Sequence, residues 1–239
     1  MENNKKKSLI PKAALIKAWL IWETFPQTCY NYERMMGQVV AHMFSAIIGF
    51  LYKDDPSKRK EVMKREIEFF NVHIEFGSCI LGMAVALEEQ KAMGENIPGE
   101  FITNLKTSLM GPLAGMGDTI WQGVVIPILL AVCIDLTRSG SGNVWGAVIY
   151  AVVIVVAAYA LSYWNFMFGY KAGSEAIMDF LEKGILNKLI KGASIMGCMV
   201  MGGLIVNYVK AVCGLKIVSS TTTYSIQTNF LDQVCPSIL

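Results

Sequence analysis

The feature that most constrains the fold is a long uncharged segment, residues 144–168 (VWGAVIYAVVIVVAAYALSYWNFMF). It contains no Lys, Arg, Asp or Glu and exceeds the roughly 20 apolar residues that a helix needs to cross the hydrocarbon of a bilayer. Aromatic side chains, which concentrate at membrane–water interfaces, gather at its far end. The segment therefore predicts a transmembrane helix.

The composition of the whole chain supports a membrane protein in contact with lipid. Hydrophobic residues make up 54% of the 239 residues and charged residues 17%, whereas soluble domains carry roughly 25% charge. This excludes an ordinary soluble enzyme. The formal net charge is only +2, and proteins that bind nucleic acid carry a basic stripe and a high pI, so nucleic acid is excluded as a partner.

The N-terminal half contains two shorter apolar segments and one basic segment. Residues 9–25 place Leu9, Ala13, Ile16 and Leu20 at helical spacing, with Trp19 and Trp22 as interfacial anchors, which predicts a helix on the membrane surface. Residues 35–52 are uncharged and either enter the bilayer or are buried against other helices. Residues 53–66 contain six Lys or Arg residues, so we expect this loop in the cytoplasm.

The remaining segments complete the predicted fold. Residues 67–87 are apolar but contain carboxylates and a histidine, so they should face protein or a water-filled cavity. Prolines and glycines interrupt residues 97–134, which predicts broken or re-entrant helices. Residues 192–209 form a second spanning candidate, and residues 217–230 have the β-branched, alternating pattern of a hairpin.

These segments together predict an all-α integral membrane protein. It has several transmembrane and broken or re-entrant helices, an N-terminal interfacial helix and a short β-hairpin near the C-terminus. Residues 1–30 are expected to form the basic N-terminal segment with the interfacial helix, and residues 31–239 a single membrane domain.

Two polar groups within apolar segments are candidates for a binding site. Asp118 and Gln122 lie four residues apart in a glycine-rich stretch that either builds a binding site at membrane depth or only lets helices pack, with Asp118 as a cap. His73 is one of two histidines, and Asn71 and Glu75 are placed to orient it by hydrogen bonding; a structural role is the alternative.

Other kinds of site find less support in the sequence. Glu33 and Arg34 stand where the chain enters an apolar stretch, and they either bind sugar hydroxyls or form an ion pair at the membrane edge. The two histidines and the scattered carboxylates give no metal-binding pattern, so we expect no metal or other cofactor. The glycines match no nucleotide loop, and no G-x-S-x-G elbow is present, so we expect no catalytic residue.

Five blocks of sequence, in the same order, resemble the IID membrane component of the mannose/fructose/sorbose family of bacterial sugar phosphotransferase systems. The blocks are NYERM at 31–35, EFFNVH at 68–73, ALEE at 86–89, LMGPLAGMGD at 109–118, and GYKAG at 169–173 followed by KGASIMG at 191–197. They span roughly residues 24–206. The GPLAGMGD block is the most specific of them.

The resemblance implies a multi-pass subunit of the bacterial cytoplasmic (inner) membrane that pairs with a IIC component to translocate sugar. It implies a trimer of IIC–IID pairs with an elevator-like cycle, while separate IIA and IIB proteins carry phosphate. This chain would hold no phosphorylated residue and would not itself be an enzyme. We expect His73, Asn71, Asp118 and Gln122 near the substrate path, and Glu33 and Arg34 at the interface with IIC.

The sequence departs from the family pattern at three places. Ile74 follows His73 where the family commonly has proline, and Met36-Gly37-Gln38 differs from the usual order after the Arg-Met pair. The chain also ends at Leu239, where the family usually continues through another hydrophobic segment. The alternative function is a membrane scaffold or receptor-like subunit without substrate contacts, which the same packing glycines would serve.

Overall fold

A computed structural model describes residues 8–138, 144–175, 195, 216–218 and 223–225. Within these residues the chain is mostly helical. The α-helices are α1 (Lys12–Thr24), α2 (Gly37–Ser45), α3 (Ile48–Leu51), α4 (Pro56–Glu66), α5 (Ile74–Ala92), α6 (Gly99–Gly117), α7 (Ile126–Arg138) and α8 (Trp145–Glu175), and a π-helix occupies Asp118–Val125. Two strands, β1 (Lys216–Val218) and β2 (Thr223–Ser225), pair antiparallel with Ile217 opposite Tyr224.

The first helix packs against the protein through its tryptophans. Trp22 is fully buried and Trp19 nearly so. The indole N–H of Trp22 donates to Ser78 on α5, and that of Trp19 donates to Ser162 on α8. Their predicted role as interfacial anchors is therefore wrong. The predicted apolar stripe with Ile16 and Leu20 lies on the opposite, exposed face of α1, where it is free to contact lipid or another subunit.

The uncharged residues 35–52 fold back as two short helices, α2 and α3. Val40, Met43, Phe44 and Ile47 have no exposed surface. Of the two predicted alternatives, burial against other helices is therefore the one that the structure shows. Gln38 shares the exposed side of α2 with His42.

Helix α4 is strongly polar, and buried charges attach it to α5 and α6. It begins after Asp55, whose side chain accepts a hydrogen bond from Lys58 N, as N-cap residues do. At its other end Arg65 Nε donates to Glu88 on α5 at 2.9 Å. Lys106 on α6 donates to Glu66 at 2.7 Å. All four of these charged side chains are buried.

The centre of the structure is the contact between α5 and α8. An alanine Cβ at Gly82 of α5 would overlap the backbone of Phe166, and one at Gly169 of α8 would overlap the carbonyl of Cys79. The two helices can therefore approach this closely only because neither glycine has a side chain. The apolar residues of α5 are buried almost throughout, which confirms for residues 74–87 that this segment faces protein. Before α5, Glu68, Phe69 and Asn71 are exposed.

Residues 99–138 form one continuous helical path. The prediction that this segment is broken into separate helices is therefore wrong. Pro112 lies inside α6, and Pro127 is near the start of α7. Between these helices the chain widens into the π-helix rather than breaking. A π-helix keeps backbone hydrogen bonds while it shifts their register, so the chain stays helical up to Pro127.

Two helical paths are long and apolar enough to cross a membrane, Gly99–Thr137 and Trp145–Gly173. The second contains the uncharged segment that predicted a spanning helix. In each path, 11% of the most apolar window is buried inside the structure. The outer surfaces are thus available to lipid or to another membrane subunit. Apart from Ile195, the predicted span at 192–209 lies outside the described residues.

Candidate functional site

A cavity of about 580 Å³ lies between the start of α5 and the π-helix. Its walls are formed by Gln27, Met36, Asn71, Val72, His73, Ile74, Glu75, Ala114, Asp118, Trp121, Gln122 and Ile126. The four predicted substrate-binding residues, His73, Asn71, Asp118 and Gln122, are therefore all together in one cavity, although more than 40 residues of sequence separate the two pairs.

His73 is one of two buried polar residues of the wall, and Glu75 is the other. His73 precedes the first turn of α5 in an extended conformation, and its Nδ1 lies 2.9 Å from Glu75 Oε2, without the angle of a hydrogen bond. Its ring packs edge-on against Phe76. The opposite side is closed by Gly117, because a Cβ there would overlap the imidazole ring. Glu75 and Gly117 thus fix where His73 stands.

Asp118 and Gln122 come from the π-helix on the other side of the cavity. Both side chains are exposed, and Gln122 Nε2 donates to Asp118 Oδ1 at 3.4 Å. Trp121 between them is buried and forms an apolar part of the wall. Added Cβ atoms at Gly111 and Gly115 would meet no atom of the described residues within 4 Å, so these two glycines do not serve packing within that part of the chain.

Asn71 lies at the mouth of the cavity and is exposed. Its Oδ1 accepts a hydrogen bond of 2.9 Å from the hydroxyl of Tyr30. Since that oxygen is engaged by Tyr30, Glu75 is the residue placed to orient His73. The amide nitrogen of Asn71 remains available to a ligand in the cavity.

The predicted interface residues Glu33 and Arg34 lie outside this cavity. Their side chains form an exposed ion pair of 3.5 Å. Asn31 holds the loop by accepting from the backbone N–H groups of both residues. Tyr32, which precedes Glu33, is 96% exposed. These residues form a separate exposed surface.

Glu23 is a residue near the cavity that the sequence analysis missed. Burial raises its pKa to about 7; a hydrogen bond from Ser162 partly offsets this, and the negative charge of Glu75 adds to it. Its Oε2 is buried and has no hydrogen-bond partner among the described residues. The one sequence feature that could have pointed to Glu23 is its position four residues after Trp19, which places it on the buried side of α1.

The cavity is suited to a small, neutral molecule with many hydroxyl groups. Its volume is within the range of ordinary small-molecule sites. Its two carboxylates accept hydrogen bonds from hydroxyls, its three amide side chains donate and accept, and the imidazole does either. Trp121 supplies an apolar surface. No three His, Cys, Asp or Glu side chains in the described part of the chain are placed to hold a metal ion.

Comparison with known proteins gives a consistent result. A family model described as "PTS system mannose/fructose/sorbose family IID component" matches residues 9–239. The mannose-specific EIID component of Escherichia coli K12 is 34% identical over 220 residues, which cover 89% of this chain and 76% of that protein. The sorbose-specific EIID component of Lacticaseibacillus casei is 32% identical over 244 residues, covering 99% and 83%.

A solved structure has the same fold. It is a cryo-EM structure of the mannose transporter ManYZ in complex with microcin E492, and one of its chains matches with a TM-score of 0.76 and 31% sequence identity. The match covers 97% of this chain and 85% of that chain.

Proposed function

Since the chain belongs to the mannose/fructose/sorbose family of IID components of the sugar phosphotransferase system, we propose that it pairs with a IIC subunit and moves a hexose or amino sugar inward. Membership makes it a membrane component of a sugar transporter. The observation that carries the finer proposal is the single cavity that contains His73, Asn71, Asp118 and Gln122.

In this proposal the cavity residues bind sugar hydroxyls at the contact with IIC. The carboxylate of Asp118 accepts hydrogen bonds, the amides of Gln122 and Asn71 donate them, and His73 closes the buried end. Glu33 and Arg34 belong to the surface that contacts IIC. An elevator-like movement carries the bound sugar inward.

The other components supply the chemistry. IIA and IIB, as separate cytoplasmic proteins, pass phosphate to the sugar when it reaches the inner side, and phosphorylation prevents its return. This chain holds no phosphate and catalyses no step. We propose a trimer of IIC–IID pairs with multiple spans in the bacterial inner membrane, and residues 31–239 as one membrane domain that follows an interfacial segment at 1–30.

Replacing Asp118 or His73 by alanine tests whether the cavity binds sugar. A hydrogen bond to a charged group contributes roughly 1.5–3 kcal/mol, so we expect Asp118→Ala to lower uptake by about 10- to 100-fold. The measurement is uptake of radiolabelled mannose, fructose and sorbose by cells that express this chain with its IIA, IIB and IIC partners. Asp54→Ala, an exposed carboxylate outside the cavity, is the matched control.

The position of His73 is tested separately through Gly117. The methyl group of Gly117→Ala would overlap the imidazole ring, so we expect His73 to be displaced and uptake to fall by up to about tenfold, as the loss of one hydrogen bond of roughly 0.5–1.5 kcal/mol implies. Gly115→Ala, two residues earlier and without a neighbour within 4 Å, should transport normally. Equal uptake by the two variants contradicts the role of His73.

The second candidate function is a scaffold or receptor-like subunit without sugar contacts. It is favoured by the close packing of α5 on α8 at Gly82 and Gly169, which a subunit without sugar contacts would need as much as a transport subunit does. For this chain it predicts that the Asp118→Ala and His73→Ala complexes assemble and take up sugar at the wild-type rate. Loss of uptake in assembled complexes rules it out.

A further inference from the structure

A buried seam of polar side chains joins α1, α5 and α8 behind the cavity. Trp19 donates to the hydroxyl of Ser162 at 3.0 Å, and Trp22 donates to Ser78 at 3.2 Å and to the carbonyl of Ile74 at 3.1 Å. The two serine hydroxyls are 2.8 Å apart. The seam therefore fixes α1 against the first turn of α5, next to the residues that hold His73.

Glu23 is the one carboxylate that α1 brings to this seam. Its Oε2 is buried without a hydrogen-bond partner among the described residues. The titratable groups that act on it, His73 and Glu75, both come from α5. From α8 it meets the hydroxyl of Ser162. Glu23 thus stands behind the part of the cavity wall that His73 and Glu75 form, with one of its carboxylate oxygens buried.

We propose that Glu23 is a positioning residue of the sugar site, which holds His73 in place through Glu75 only while Glu23 carries a proton. The proposal rests on the proposed function, because it assumes that sugar binds in the cavity lined by His73. Glu23 itself does not line the cavity, so it acts through its neighbours.

The charge balance explains the direction of the effect. When Glu23 is protonated, Glu75 is the single anion beside His73, and the 2.9 Å contact between them is undisturbed. When Glu23 releases its proton to solvent, two carboxylates lie in one buried space, and like charges there repel strongly. Glu75 then leaves its position beside His73, and the imidazole no longer presents a fixed polar edge to the sugar.

The expected consequence is sugar binding that weakens as the pH rises through 7. Burial raises the pKa of Glu23 to about 7. Release of one linked proton changes an affinity by at most about tenfold per pH unit, so the dissociation constant should rise by up to about tenfold between pH 6 and pH 8.

The test is equilibrium binding of radiolabelled mannose, fructose and sorbose to the purified IIC–IID complex at both pH values. Glu23→Gln, which is neutral at every pH, should keep the tight binding of the wild type at pH 8. Glu23→Asp, which still ionises, should keep the pH dependence. A Glu23→Gln complex that weakens with pH as the wild type does overturns the proposal.

A second variant covers the case in which Glu23→Gln does not assemble. Ser162 favours the ionised form of Glu23, so Ser162→Ala should move the midpoint of the pH curve upward, and an unmoved midpoint overturns the proposal.

Failure of the proposed function is distinguishable, because the wild-type complex would then bind none of the three sugars at either pH. Equal sugar binding by the wild type at pH 6 and pH 8 contradicts the role of Glu23 alone.

Discussion

Replacing Gly82 and Gly169 together by alanine is expected to prevent this chain from accumulating as a folded membrane subunit. At both positions the new Cβ would overlap backbone atoms of the facing helix, the Phe166 carbonyl and the Cys79 carbonyl. Backbone cannot move aside as a flexible side chain does, so α5 and α8 would have to separate along their whole contact.

The size of the effect follows from the cost of overpacking. Each added methyl group in a well-packed interior costs roughly 1–3 kcal/mol, and two at one helix contact should cost about 4 kcal/mol or more. This is a large part of the roughly 5–15 kcal/mol that stabilises a typical protein. The measurement is the amount of subunit in purified membranes and its thermal unfolding midpoint in detergent.

Gly111→Ala is the matched control for this substitution. Gly111 also lies in a long helix, but a Cβ there meets nothing within 4 Å, and alanine is favoured over glycine in helices by about 1 kcal/mol. The control should accumulate normally or better. If the Gly82/Gly169 double variant accumulates as the control does, α5 and α8 do not depend on close approach at these glycines.

The spanning helix was predictable because one local property, an uncharged apolar run, is enough to define it. The burial of residues 74–87 was predictable for a related reason, since carboxylates within an apolar segment are costly in lipid. The burial of Trp19 and Trp22 was not predictable from the sequence. An indole ring can donate its N–H to lipid headgroups as well as to buried serines. Only tertiary packing decides between these two positions.

His73 and Asp118 were each predictable as candidate site residues, but the residue pattern alone did not show that they line one cavity. Each residue is a polar group in an apolar setting, but their presence in one cavity depends on how closely Gly117, at the end of α6, approaches His73. The π-helix lay beyond sequence reasoning, because proline and glycine signal irregularity without specifying its form. Glu23 was missed because one carboxylate near a helix end is ordinary until the opposing helices are known.

The buried charges at α4 lead to the second large effect, an expected loss of stability in Lys106→Met. Lys106 Nζ donates to Glu66 at 2.7 Å, and Glu66 is fully buried. The nearest other cation is Arg65, whose Nε lies 3.9 Å from Glu66 and donates to Glu88 at 2.9 Å. Removing the lysine therefore leaves a buried carboxylate without a close partner, which typically costs roughly 3–5 kcal/mol.

The double variant Lys106→Met/Glu66→Gln separates lost charge pairing from lost packing. Replacing both members of a buried ion pair by neutral groups of similar volume is often close to neutral in stability, so the double variant should unfold nearer to the wild type than Lys106→Met does. The measurement is thermal unfolding of the purified complex in detergent, analysed as a double-mutant cycle. Since α4 meets α6 through this pair, a double variant as unstable as Lys106→Met would mean that the unpaired charge of Glu66 is not the cause of the instability.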